Sequence, residues 1–421
     1  MLAYSPPFPL SINHHLETRV PIAEDEEGIM LALRHRDRVR RIRLQVPIQS
    51  LHNLITAIDG EFPVLEYLHI APPTEPNTHL LLPSTFEAPH LRHLWLDHFA
   101  SPIGSRLFTT AVGLVSLVLR WICWTPHPGF PSPDDLLQVF SHLPHLETLQ
   151  IGLHSHGPDS DIVGQLPHRP VMTHIILPKL RQFRFWGIHT FLEALLSQMS
   201  APHLATLSVH LFNLPSIAVP HLRHFMTATE DLRFRSVRFL FAPSIVAMFA
   251  YPHVGATSPT FNIDDTCPYL DWQVSSMAQI FSVLSPIFST VVDLTLDYEG
   301  HIPSLYSWDD QAHRTEWGKL LGSFRNVKTI RVHPGLVEVV SHSLKSDGEP
   351  PLEVLPELED LVCSKGCRSN EAVAIFIRER EVTGRPVRVI ERDLRVGRFN
   401  YELLTSFGVT RFYATSYGYP M

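Results

Sequence analysis

Ala88-Pro89-His90-Leu91-Arg92-His93-Leu94-Trp95-Leu96 holds a phrase that the chain keeps repeating: an apolar residue, two variable, an apolar, one variable, an apolar. The same phrase stands in Val39-x-x-Ile42-x-Leu44, Leu65-x-x-Leu68-x-Ile70, Leu114-x-x-Leu117-x-Leu119, Leu146-x-x-Leu149-x-Ile151, Leu180-x-x-Phe183-x-Phe185 and Leu204-x-x-Leu207-x-Val209. Weaker copies begin at Phe234, Val291, Val327 and Leu358. A proline often leads in, as in Phe62-Pro63-Val64-Leu65, Leu143-Pro144-His145-Leu146 and Leu355-Pro356-Glu357-Leu358.

A period of roughly 25–35 residues built on such a phrase marks a leucine-rich repeat. The expected fold is α/β: an irregular leucine-rich-repeat solenoid of about 12 repeats, with a parallel concave sheet and convex helices. It is irregular because the asparagine of the commonest repeat subtype is missing, position 73 being Pro and position 99 Phe. The solenoid is expected over 39–390, after an N-terminal cap and first-repeat helix over 1–38 and before an atypical tail over 391–421.

Helical spacing of apolar residues fills the intervals at Pro47 to Ile58, Phe191 to Met199, Val274 to Phe288, Leu336 to Leu344 and Asn370 to Val382. Ser132-Pro133-Asp134-Asp135 reads as a helix start, with a Ser cap, Pro in the first turn and acids near the positive end of the dipole. Glu24 opens the first helix, and Pro9 to Asn13 is a candidate leading strand. The interval from Phe234 to Val291 is twice a repeat and predicts a hidden strand at Phe261-Asn262-Ile263. Loops are expected at 125–133, 157–170 and 251–260.

Composition narrows the function classes. A net charge of −8 argues against a general nucleic-acid binder. No apolar run reaches the roughly 18–20 residues of a membrane helix. Met1 to Leu10 lacks a basic region followed by an apolar stretch, so no secretory leader is expected. Four cysteines are too sparse for a disulfide framework, which points to an intracellular compartment, cytoplasm or nucleus.

No phosphate loop, dinucleotide fingerprint, nucleophile elbow or His-Glu-x-x-His spacing is present. Cys363 fits an apolar strand slot, and zinc needs more ligands than Cys363 and Cys367 supply. Asp264-Asp265 and Asp309-Asp310 read as solvated turns. No catalytic residue, metal ligand or cofactor is therefore assigned. What remains is a surface. Strand alternation turns Arg41, Arg43, Tyr67, His69, His93, Trp95, Arg120, Gln150, Arg184, Trp186, His210, Arg238, Asp293 and Arg331 outward as a candidate concave partner-binding face. Trp and Arg are frequent interface anchors, and Trp95, Arg184, Trp186 and Arg238 suit an acidic or aromatic segment of a protein partner.

Glu26-Glu27-Gly28-Ile29, His35-Arg36-Asp37-Arg38-Val39-Arg40-Arg41-Ile42, Asp271-Trp272-Gln273-Val274, Glu316-Trp317-Gly318-Lys319-Leu320-Leu321 and Gly384-Arg385-Pro386-Val387 together resemble the F-box/leucine-rich-repeat proteins of mushroom-forming fungi. The resemblance covers most of residues 7–391. It implies the substrate-binding half of a ubiquitin-ligase adaptor that is not itself an enzyme. The first predicted helix already belongs to the first repeat, so the F-box half is expected to be missing. A Skp adaptor and cullin then enter as partners only if an F-box lies upstream of Met1. The alternatives are a free-standing repeat scaffold or regulator with no ubiquitin link and, more distantly, an enzyme with an unrecognised loop site.

Overall fold

The lead-in prolines occupy the second position of a tight turn that launches each strand. Leu65 N donates to Phe62 O at 3.3 Å, Leu91 N to Ala88 O at 3.1 Å, and Leu146, Leu180 and Leu204 repeat the bond at 3.2 Å. Proline's fixed φ suits that position, and the next apolar residue drops into the core. The computed structural model describes residues 8–15, 23–72, 80–99, 105–122, 131–154, 174–212, 218–267, 269–299, 311–343, 354–367 and 370–392. The loop expected at 157–170, most of that at 125–133, the pair Asp309-Asp310 and the tail beyond 392 lie outside them.

The first half runs β1 (Leu10–His15), α1 (Ala23–Leu33), β2 (Val39–Gln45), α2 (Ile48–Ala57), β3 (Tyr67–Ala71), β4 (His93–Asp97), α3 (Arg106–Thr110), β5 (Ser116–Ile122), α4 (Pro133–Ser141), β6 (Thr148–His154), β7 (Ile175–Ile176) and β8 (Gln182–Gly187). There follow α5 (His189–Leu196), β9 (Met199–Ser200), β10 (Thr206–Phe212), α6 (Pro220–Thr227), β11 (Ser236–Ala242), β12 (Ile245–Tyr251), β13 (Phe261–Thr266) and α7 (Leu270–Leu284). The chain continues with β14 (Asp293–Tyr298), α8 (Gln311–Gly322), β15 (Thr329–Val332), α9 (Val337–Ser343), β16 (Asp360–Ser364), α10 (Glu371–Val382) and β17 (Arg388–Arg392). Fifteen strands form one open sheet in the order β1-β2-β3-β4-β5-β6-β8-β10-β13-β12-β11-β14-β15-β16-β17, while β7 and β9 pair separately. The fold is an irregular leucine-rich-repeat α/β solenoid.

The motif leucines are the inward row of this sheet. Leu68, Leu94, Leu117, Leu149, Phe183 and Leu207 are aligned by the parallel ladder and are at most 1% exposed. One continuous apolar core runs from Ile12 to Val389. The helix starts follow the predicted chemistry. Ser132 Oγ accepts from Asp135 N at 3.1 Å while Asp135 accepts from Ser132 N at 3.0 Å, and Asn370 Oδ1 accepts from Ala372 N at 2.9 Å. Among the described residues no helix is long and apolar enough to cross a membrane.

Three expectations are corrected. First, the sheet is not wholly parallel. The hidden strand exists as β13, but β12 precedes it, and β12 pairs antiparallel with both β11 and β13. The chain leaves β10, places β11 three positions further along, and folds back through β12 to set β13 beside β10. Helix α7 then carries it to β14. A group of phenylalanines fills the space beneath this detour: Phe281 lies 4.9 Å from Phe288, 5.1 Å from Phe324 and 5.3 Å from Phe239.

Second, Asp264 and Asp265 are not solvated. They lie within β13 at 6% and 1% exposure. Asp264 is tolerated because His210 faces it across the ladder and hydrogen-bonds to it, whereas burial pushes the Asp265 carboxyl up to about 7. Third, Cys363 fills its buried slot but is joined to Cys367 in a disulfide. Element ends shift modestly: α5 stops at Leu196, where Met199–Ser200 becomes β9, and α7 spans 270–284.

Candidate concave recognition face

The register gathers the predicted outward residues into three rows. Arg41, Tyr67 and His93 share the first. Arg43, His69 and Trp95 begin the second, which continues through Val118 and Gln150 to Arg184. The third runs Asp97, Arg120, Gly152, Trp186, His210.

In the N-terminal half these rows interlock as cations on rings. The Arg41 guanidinium sits 4.8 Å from the Tyr67 ring centre, and His69 stacks on Trp95 at 4.7 Å. Arg120 lies between two indoles, 5.0 Å from the Trp95 ring centre and 5.4 Å from that of Trp186. It reaches Trp186 because the intervening strand carries Gly152 at that level. Asp97 approaches Arg120 at 3.9 Å. Burial pushes the Asp97 carboxyl up against the opposing pull of Arg120 and the Trp95 N–H. Arg184 is shifted down, first by burial and then by the like charge of Arg120. Two guanidiniums thus share a partly desolvated surface, a setting that favours an anionic contact.

The C-terminal half is neutralised from within. Asp293 accepts from Arg331 and from Ser236 Oγ, Asp297 from Arg238, and Asp360 from Arg388 at 2.7 and 2.9 Å. Burial raises the Tyr251 phenol, with Arg238 opposing. Between the halves the detour contributes the apolar cluster Leu240, Ala247 and Phe249.

All fourteen predicted residues stand on strands of the one sheet, but they do not form one open surface. Arg41, Arg43 and His93 are exposed, and Tyr67, Trp95, Arg120, Gln150, Arg184, Arg238 and Arg331 are half-buried. His69, Trp186, His210 and Asp293 are less than a tenth exposed. They support neighbours rather than present themselves: Trp186 backs Arg120, His69 backs Trp95, and Asp293 holds Arg331. The sequence reading missed Asp97 and Gly152. Both stand one alternating position beyond a selected residue, Trp95 and Gln150, and extending the strands by two residues finds them. Among the described residues no three His, Cys, Asp or Glu converge as a metal site requires.

No family model and no curated protein matches this chain. Among solved structures it is similar to the leucine-rich repeat-containing protein LegL7 from Legionella pneumophila, at 12% identity, covering 90% of this chain and 98% of that one, with a TM-score of 0.29. The repeat fold is assigned from this chain's own ladder and core.

Proposed function

We propose that this chain is a protein-recognition scaffold that works by binding rather than by chemistry, its concave face holding a segment of a protein target inside the cell. The observation that carries this reading is Arg120 between Trp95 and Trp186, a cation with its rings already in place. Side chains ordered before contact lose little conformational entropy on binding. The resemblance to fungal F-box/leucine-rich-repeat proteins supports the finer reading, the substrate-binding half of a ubiquitin-ligase adaptor.

Two experiments test the two levels. A photo-crosslinking residue placed at His93 or Gln150 should label the target, whereas one at the exposed Trp272 on α7 should not. Trp95→Ala with Arg184→Ala should abolish that labelling while circular dichroism shows the chain still folded, with a melt lowered only by the lost ring contacts of Trp95; labelling that ignores these positions sinks the concave-face reading. For the ligase link, the reading frame upstream of Met1 should encode an F-box, and the longer product should co-purify with a Skp adaptor. Its failure to do so leaves a scaffold with no ubiquitin connection.

A further inference from the structure

The two halves of the concave face differ in charge. From β2 to β8 the outward rows carry the guanidiniums of Arg41, Arg43, Arg120 and Arg184 against the single carboxylate of Asp97. The ladder neighbours of Arg41 are Ser11 and Tyr67, and those of Arg43 are Asn13 and His69, so no acid faces either across the sheet. Beyond β8 the acids return, each with a basic partner: Asp264 with His210, Asp293 with Arg331, Asp297 with Arg238, Asp360 with Arg388. This basic half stands in a chain whose net charge is −8.

We infer that the half of the face from β2 to β8 takes an acidic peptide segment, its carboxylates meeting Arg41, Arg43, Arg120 and Arg184 and its apolar side chains lying on Tyr67 and Trp95. This rests on the concave-face function proposed above. Ladder spacing puts Arg43 about 14 Å from the Arg120 strand, and that strand about 10 Å from the Arg184 strand. An extended peptide crossing the strands covers those distances in about four and about three residues, so acids at such intervals meet successive guanidiniums. A nucleic acid fits less well. A phosphate backbone carries charge at every step, and beyond β8 the same groove would offer it only guanidiniums already holding Asp293, Asp297 and Asp360, whereas a short acidic segment ends where the basic half ends.

The test uses the full chain and four fluorescent probes: a synthetic peptide with Asp or Glu at those intervals and interspersed Tyr, its Asn/Gln counterpart, a Lys-rich counterpart, and single-stranded oligo-dT. Anisotropy should show the acidic peptide binding best, weakening with added salt. Arg43→Ala or Arg184→Ala should each reduce its affinity about tenfold. Arg388→Ala, at the opposite end of the sheet, should leave it unchanged. Preference for the Asn/Gln peptide, the Lys-rich peptide or the oligonucleotide overturns the inference, as does acidic binding indifferent to Arg43 and Arg184. The broader reading is separable: a neutral peptide whose binding still depends on Trp95 keeps the concave face and discards the acidic partner. If no probe depends on Trp95, both fall.

Discussion

Gly152 lies directly beside Arg120 in the ladder, and a Cβ at Gly152 would stand 3.2 Å from Arg120 Cγ. The glycine therefore leaves the gap through which the guanidinium reaches Trp186. Gly152→Val should push Arg120 off that ring. Each lost cation–π contact costs about 0.5–1 kcal/mol, and replacing a strand glycine returns a similar amount, so melting should change little. The tryptophan emission should change, and it should not when Trp186 is already Phe. An unaltered spectrum in the Trp186 background would show that Arg120 is not held there.

Glu193 on α5 supplies the cap that α6 lacks in its own sequence. Its carboxylate accepts from His221 N at 2.7 Å and Leu222 N at 3.0 Å, while residue 219, where a capping side chain belongs, is Val. Burial raises the Glu193 carboxyl, and the two N–H groups resist that rise. Glu193→Ala leaves the buried Leu222 N–H and the part-buried His221 N–H without a partner and should cost about 1–3 kcal/mol. Glu193→Gln keeps an acceptor and should cost less. Urea unfolding of the two variants gives the comparison, and equal stability would deny the cap.

Asp265 makes stability pH-dependent. Burial pushes its carboxyl up to about 7, reinforced by Asp264 and opposed by Ser276, His210 and the Thr266 N–H. A raised folded-state value means that between the ordinary carboxylate range and pH 7 the native chain holds a proton the unfolded chain has released. This group therefore lowers stability as pH rises through that window, by about 4 kcal/mol in full. Asp265→Asn should raise the melting temperature at pH 8 and do little at pH 4. A variant shifted equally at both would show that Asp265 is charged throughout.

The parallel ladder was legible because its signal is local. Leu91, Leu94 and Leu96 face one core, the residues between them face out, and Pro89 marks the turn before them. The detour was not, because it breaks the rule that makes strands readable. Ile245 to Ala250 are buried on both faces, so no alternation appears; Ala242-Pro243-Ser244-Ile245 and Ile245-x-x-Met248-x-Ala250 imitate the lead-in and the phrase, but the strand they form runs antiparallel. Asp264-Asp265 looks like a turn because the residue that pairs with Asp264, His210, stands 54 positions earlier. For the same reason the face could be chosen residue by residue, but its division into a basic half and a self-neutralised half required partners on different strands, such as Asp293 and Arg331.

The detour is clasped by Gln273, and this gives the sharpest test of the topology. Its side chain is 1% exposed, and Nε2 donates to Ala242 O and Cys267 O, both at 2.7 Å. Those carbonyls lie at the end of β11 and just after β13, so one amide on α7 ties the two outer strands of the antiparallel insert to the helix that crosses it. Gln273→Leu keeps the volume and removes the donor. Each unmade bond to a buried carbonyl costs about 1 kcal/mol or more, so a loss of about 2–3 kcal/mol is expected. In a repeat array whose neighbours couple only locally, the loss should stay local. Hydrogen exchange should accelerate in β11, β12 and β13 and hold steady in β3 and β4. Uniform acceleration along the whole sheet would mean that the insert is not a separate cooperative unit, and no acceleration would mean that Gln273 does not fasten it.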